Sequence, residues 1–377
     1  MRRLRRPLTE AILPFVVARV VVLGALALAH FVVDRTHPST AYVAVRVHQG
    51  LLGWDAGWYR SIAQVGYVPL GRQSLRFFPL LPALTHAVAW FPGLDDGAAL
   101  LLVANVAAFV CTALLFVLVR RETGDVELAR RSLWFLSLGP AAFVLVMGYA
   151  ESLLLCLAVG CFLALRPSSL QPSTRPNFVA AAVLGFGAAL ARPVGVVLVL
   201  AVGAELVRWW PRLGRNGRLA GLVATASPLL GVLAFLAWAD HEVGDLLAPL
   251  RVQLENGHHG GLTDPVTTLD HAARDILHHH VGTALHVPWI LLAVVLLIVC
   301  WRRLPAPYTL FAAGTLALAV AGSNLDSFER YALSAFPLTV AGAMLCGDRR
   351  VERSVLTLLP AALAGYAILA FLNIYVP

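Results

Sequence analysis

Apolar stretches separated by short polar segments, most of them carrying arginine, dominate this chain. Such stretches occur at about 11–33, 98–119, 132–149, 152–165, 178–191, 194–210, 219–239, 287–301, 307–322, 332–347 and 354–376, and each reads as a transmembrane helix. Eleven spans of about 20 residues use about 220 positions, a little under 60% of a 377-residue chain. The pattern therefore predicts an all-α polytopic membrane protein of about eleven transmembrane helices. Phe77–Phe91 is also apolar but short, with Pro79 and Pro82 near its start, and reads as an interfacial helix rather than a span. The polar remainder gathers into a first outer loop over 34–97 and a second over 240–286. No sequence repeat and no separate soluble domain is visible, so 1–377 is expected to form one integral-membrane domain.

Composition sharpens this picture. Hydrophobic residues make up 59% of the chain and charged residues 13%, about half the charged share of a soluble globular protein. A soluble enzyme, a disordered protein and a protein with a single anchor are excluded. The formal charge of +8 comes entirely from arginine, all 29 basic residues being of that type, which codon bias in a GC-rich genome explains. With the N-terminus inside, the segments 1–10, 120–131, 166–177, 208–218, 302–306 and 348–353 hold 19 arginines and the much longer outer segments hold nine. That bias is the positive-inside rule, so the charge sets topology and implies no nucleic-acid partner. Calling 77–91 a span would reverse everything after it and place Arg120, Arg121, Arg130 and Arg131 outside. The N-terminal Arg2–Arg6 segment precedes a run too long for a signal-peptide core and without a small-x-small cleavage site, as expected of an uncleaved first span. The five cysteines lie in apolar stretches without CxxC spacing and imply neither a disulfide framework nor a zinc site.

Fourteen of the 21 acidic residues fall in the predicted outer segments, so an outward-facing active site has candidate carboxylates where a cytoplasmic one has few. The densest constellation is Trp54-Asp55-Ala56-Gly57-Trp58-Tyr59-Arg60 through Gly66-Tyr67, followed by Arg76-Phe77-Phe78-Pro79-Leu80-Leu81-Pro82. Aromatic rings around Asp55 suit both a membrane interface and a sugar face. On spacing alone, Asp55 reads equally as the N-cap of a surface helix, with Tyr59 and Ile62 on its own face. Glu151 interrupts an apolar run, either as a short exposed turn or as a second carboxylate facing a shared cavity. Arg192 before Pro193 reads as a snorkelling arginine in a tight turn or as a phosphate contact. Arg330 has Glu329 and Asp326 as its nearest partners in sequence, against a phosphate role. Arg19, inside the first span, is expected to snorkel to the inner interface. Gly185 and Gly187 suggest close helix packing.

The stretch WDxxWYxxIAxxGY, then FFPLLP, resembles the GPI mannosyltransferase II (PIG-V) family and its bacterial relatives. Tyr149-Ala150-Glu151-Ser152 is similar to that family's short Tyr-x-Glu element, and Arg330-Tyr331 before Phe336-Pro337-Leu338 fits a late outer-loop arginine element. The resemblance implies a GT-C membrane glycosyltransferase that takes a sugar, mannose in that family, from a polyprenyl-phosphate donor. By position Asp55 matches the catalytic carboxylate of the first outer loop. It would serve as general base in a single inverting displacement, with Arg76, Arg192 or Arg330 near the donor phosphate and Trp54, Trp58, Tyr59, Glu151 and Tyr331 around the substrates. A glycolipid or other cell-envelope molecule is the expected acceptor, the lipid bilayer the setting, and a bacterial plasma membrane with the site facing outward the expected location. The competing reading is a polytopic transporter or lipid flippase, which would more naturally show inverted repeats and charges at the bilayer midplane. No cofactor is expected. A divalent metal is a minor alternative, resting on His258, His259, His271, His278, His279, His280 and His286 with Asp264, Asp270 and Asp275, which lack a recognised ligand spacing.

Overall fold

The computed structural model describes residues 2–36, 41–166, 175–255, 263–264, 267, 274, 286–322, 325 and 327–376. Among these residues the secondary structure is helical, with no strand. Five stretches are long and apolar enough to cross a membrane: Arg6–Thr36, Asp96–Thr123, Pro193–Arg212, Arg215–Val243 and Arg349–Phe371. They correspond to α1 (Arg2–Thr36), α5 (Asp96–Thr123), α9 (Leu198–Trp209) with its flanking 3-10 turns, α10 (Arg215–Val243) and α16 (Arg349–Phe371). Leu13, Val20 and Phe31 on α1 and Leu219, Leu222 and Leu233 on α10 point outward, exposed. Apolar surface of that extent is stable against lipid and not against water, and the chain is a membrane protein.

The remaining apolar helices are shorter: α7 (Glu151–Leu165), α8 (Phe178–Ala191), α12 (Val287–Arg303), α13 (Ala306–Ala319) and α15 (Phe336–Leu345). Two predicted spans prove to be interrupted. The stretch 132–149 holds α6 (Val126–Leu138), which stops before Gly139-Pro140 and gives way to a 3-10 turn over Pro140–Leu145. Proline disfavours helix in the residue before it and supplies no amide donor. The stretch 332–347 divides at Ala335 between α14 (Phe328–Ser334) and α15, with Pro337 in the first turn of the latter. A third proline, Pro193, separates α8 from α9 through the 3-10 turn Pro193–Val197.

The 34–97 segment is largely folded. It carries α2 (Ala41–Gln49), α3 (Asp55–Val65) and α4 (Leu80–Ala89), and α4 falls within the predicted interfacial helix, ending at the exposed Trp90 and Phe91. Of the second outer loop, α10 extends into it and is followed by α11 (Ala248–Gln253). His258, His259, His271, His278, His279, His280, Asp270 and Asp275 lie outside the described residues.

Packing is closest between α8 and α10. A Cβ on Gly231 would stand 2.6 Å from the Phe186 carbonyl oxygen, and one on Gly185 would stand 3.2 Å from Ser227 and Pro228, so small residues bring these backbones together. Gly187 meets Leu157 only at ordinary contact distance. In the interior Phe162, near the end of α7, packs against Tyr308, Phe311 and Phe336.

Candidate functional site

The three helix interruptions have a common consequence: each delivers a charged side chain to one end of the bundle. Glu151 opens α7, Arg192 sits between α8 and α9, and Arg330 lies on α14. The fourth contributor, Asp55, opens α3. Arg330 donates through Nη1 to Asp55 Oδ2 at 2.6 Å, across 275 residues of sequence. Its Nε lies 2.9 Å from Glu151 Oε1, and the same carboxylate accepts a hydrogen bond from Arg192 Nη1. Arg76 Nη2 reaches Asp55 Oδ1 at 3.9 Å. Among the described residues, three arginines thus face these two carboxylates.

Burial separates these groups by role. The side chains of Glu151, Arg330 and Arg192 are 2%, 8% and 10% exposed, whereas those of Asp55 and Arg76 are each 22% exposed. The deep ion pairs hold the frame, and the Asp55–Arg76 side opens outward. Burial alone would raise the Asp55 carboxyl, but Arg330, Arg76 and Arg192 more than offset it and hold the group below its ordinary value. For Arg330, burial works against the charge, and Glu151 and Asp55 outweigh it, so the guanidinium is held charged.

Asp55 does not cap its helix. Trp54 occupies the N-cap without a side-chain bond, and the Asp55 carboxylate turns to Arg330 instead. Trp54 holds φ at 57°, and Ser327, the N-cap of α14, holds 67°. Left-handed backbone at non-glycine residues costs energy and persists where the surroundings enforce it; here it immediately precedes the helices bearing Asp55 and Arg330. The Asp55 amide donates to the Tyr149 hydroxyl at 3.4 Å, and Arg330 lies over the Tyr149 ring at 5.4 Å. The WD stretch, the Tyr-x-Glu element and the late arginine element therefore meet at one point.

Among the aromatics, Tyr59 is buried, edge-on to Phe77 at 5.1 Å, and burial pushes its phenol up. Trp58 stacks on Phe77 at 5.6 Å, and Tyr331 lies 5.4 Å beneath Arg192. Trp54 turns elsewhere: its indole N–H donates to the Ala370 carbonyl at 3.0 Å, and Arg46 covers its ring at 4.1 Å. Three of the simpler expectations are corrected. Glu151 is buried rather than in an exposed turn, Arg192 is buried rather than snorkelling, and Arg330 pairs with distant carboxylates instead of Glu329. Glu329 is bonded to His286 Nδ1 at 2.9 Å and accepts from the Tyr375 hydroxyl at 2.8 Å; Asp326 lies outside the described residues. This His286–Glu329–Tyr375 cluster was not foreseen, although Glu329 adjoins Arg330 in the motif. Among the described residues no group of three or more metal-ligating side chains is placed to hold an ion.

No family model matches the chain, and no curated protein matches it either. Among solved structures it is similar to the crystal structure of an Archaeoglobus fulgidus oligosaccharyltransferase in complex with zinc and sulfate. That match has a TM-score of 0.39 and 13% identity, over 79% of this chain and 44% of the other. It is similar too to the archaeal oligosaccharyltransferase AglB from Archaeoglobus fulgidus in complex with an inhibitory peptide and a dolichol-phosphate, with a TM-score of 0.38 and 12% identity over 80% and 48% of the two chains. The chain spans less than half the length of these proteins. Fold and site together define a helical membrane protein with a buried, arginine-rich charged centre at one end of its bundle.

Proposed function

We propose that the chain is a GT-C glycosyltransferase of the outer face of a bacterial plasma membrane. It would cross that membrane many times and transfer a sugar, mannose by the motif resemblance, from a polyprenyl-phosphate donor to a glycolipid or other cell-envelope acceptor. The observation that carries this reading is the meeting of Asp55, Glu151 and Arg330, one residue from each of three separate motifs, with Arg192 in one ion-paired centre. The guanidinium groups of Arg330, Arg192 and Arg76 gathered around Asp55 and Glu151 suit an anionic ligand. A guanidinium matches a phosphate through two parallel hydrogen bonds.

The chemistry follows from that arrangement. The donor phosphate is already a competent leaving group. The acceptor hydroxyl oxygen bonds to the anomeric carbon as the bond from that carbon to the phosphate oxygen breaks, with inversion. The electron pair leaves on the phosphate, where the arginines stabilise it, and the hydroxyl proton passes to the Asp55 carboxylate. A carboxylate held below its ordinary pKa is a weak base. It is matched to a transition state with oxocarbenium character, in which the attacking hydroxyl becomes acidic late. Tyr59, Trp58 and Tyr331 supply ring faces near the centre. No divalent metal is required by this scheme.

A transporter or flippase is the competing reading. Between Glu151 and Arg166, α7 carries no charged residue, which favours a one-sided site over a pathway of charges across the membrane. The deciding experiment incubates radiolabelled polyprenyl-phosphate mannose with membranes that contain or lack this chain. A labelled product present only with the chain is expected; identical products from both membranes contradict the proposal.

A further inference from the structure

A break in a membrane-embedded helix strands backbone carbonyls that water cannot reach, and the break preceding Glu151 is served in an unusual way. After the 3-10 turn Pro140–Leu145, the chain makes a tight turn through Gly148 before α7 begins. The Gly148 amide donates to the Leu51 carbonyl at 3.2 Å and the Tyr149 amide to Met147 at 2.9 Å. Neither therefore returns to Leu145 or Val146, the carbonyls that a continuing helix would engage. Two side chains from other helices take their place. Arg19 of α1 donates through Nη2 to the Leu145 carbonyl at 2.8 Å, and Asn105 of α5 donates through Nδ2 to the Val146 carbonyl at 3.0 Å. The two are joined: Arg19 Nε donates to Asn105 Oδ1 at 3.0 Å, with the guanidinium 3.5 Å from the Phe15 ring centroid. The expectation that Arg19 snorkels to an interface is therefore corrected; it is turned into the protein.

The turn so held is the one that joins Asp55 to Glu151. A Cβ on Gly148 would stand 3.2 Å from Ala56 Cβ, the neighbour of Asp55, and the Tyr149 hydroxyl accepts from the Asp55 amide. Two residues further on, Glu151 meets Arg330 and Arg192. We infer that Arg19 and Asn105 are positioning residues for the sugar-transfer centre. They contact none of its charged groups, but they fix the height and orientation of the turn that sets the Asp55–Glu151 separation. An arginine inside an apolar span is costly and calls for a function of this kind. The inference rests on the proposed glycosyltransferase reading.

The test compares Arg19→Met, Arg19→Lys, Asn105→Leu and the Arg19→Met/Asn105→Leu double variant. Transfer from labelled polyprenyl-phosphate mannose is measured per folded molecule, with amide hydrogen exchange followed across the whole chain. Arg19→Met is expected to lower kcat about 10- to 100-fold, the scale of a misplaced reacting group, with KM for the donor within about twofold. Arg19→Lys, which keeps a donor for the Leu145 carbonyl, should recover part of the loss. The double variant should lose less than the product of the two single effects, because the two side chains act as one unit. Exchange should rise at residues 146–150 and stay unchanged in α8 and α10. Wild-type kcat in Arg19→Met, or faster exchange throughout the chain with kcat per folded molecule unaltered, overturns the inference. Its failure is distinguishable from that of the functional reading: if Asp55→Asn retains full transfer, the reading itself is wrong, whereas an inactive Asp55→Asn beside a fully active Arg19→Met removes only the positioning role.

Discussion

Helix α7 carries a charged cluster at each end, and the two clusters differ in the way that matters for function. At its start Glu151 meets Arg330 and Arg192, with Asp55 and Arg76 beyond. At its end, 15 residues later and so about 22 Å away, Arg166 is bonded to both Glu122 and Glu205, with Arg208 3.3 Å from Glu205 and the Tyr308 hydroxyl 3.2 Å from Glu122. Both are buried networks of arginine and carboxylate assembled from distant parts of the chain. In the second both carboxylates are enclosed, Glu205 fully and Glu122 at 14% exposure, and the open member is the arginine Arg208. In the first a carboxylate, Asp55, is itself partly open, beside Arg76. A network whose carboxylates are enclosed fastens helices; one with a carboxylate open beside an arginine can meet a substrate. Burial and salt bridges do not by themselves distinguish a site from a clamp, but access to the carboxylate does.

The sharpest way to break this comparison is to remove the central arginine at each end. Arg330→Ala should lower transfer about 1000-fold, as expected when a donor to the developing charge is lost, and should also destabilise the protein by about 3–5 kcal/mol by leaving buried carboxylates unpaired. Arg166→Met should cost similar stability, read as a lower unfolding midpoint in detergent, with turnover per folded molecule unchanged. If Arg166→Met instead abolished turnover while leaving stability intact, the assignment of the two ends would be reversed.

A smaller effect is expected from Arg76, the half-open member. Arg76→Ala should raise KM for the donor about tenfold, one charge-assisted hydrogen bond's worth, with kcat changed less, and the rise should shrink with added salt. Steady-state kinetics at two ionic strengths checks this; an unchanged KM would remove Arg76 from the donor site.

What was legible in the sequence follows the same division. Asp55, Glu151, Arg192 and Arg330 stand out because a charge in or beside an apolar run is costly and conspicuous. The helical fold and the short helix within 77–91 were readable from hydropathy. The pairing was not: Arg330 could have bonded to Glu329 beside it, and only tertiary structure gives it Asp55 and sends Glu329 to His286 and Tyr375. Trp54 adjoins Asp55 in sequence, but consecutive residues at a helix start point in different directions, and its indole reaches Ala370. The interruptions within 132–149 and 332–347 were signalled by Pro140 and Pro337, but hydropathy averaging passes over single prolines. Arg19 and Asn105 were visible as polar residues within spans, yet their targets are carbonyls, which leave no mark in a sequence.

The smallest expected effect is that of pH. Because its ion pairs hold Asp55 below the ordinary carboxylate range, the charged base persists in the folded protein past the value of about 3.9 at which a free aspartate protonates. The stability its pairs contribute is complete above that value and is lost only as pH falls through the lower, folded one. Transfer rates should therefore be flat from pH 8 down to about pH 5; an acid limb centred between pH 6 and 7 and absent in Asp55→Glu would contradict the charged-base assignment.

The central claim is that Asp55 removes the acceptor proton within an arginine-rich centre. Asp55→Asn keeps the size and polarity of the side chain and removes only its basicity and charge. Measured with radiolabelled polyprenyl-phosphate mannose at matched amounts of folded protein, this variant should lose transfer by a factor of about 100 to 10,000, the usual span for a general base, with its unfolding midpoint lowered by no more than the lost Asp55–Arg330 pair contributed. Undiminished transfer by a folded Asp55→Asn protein would contradict the account.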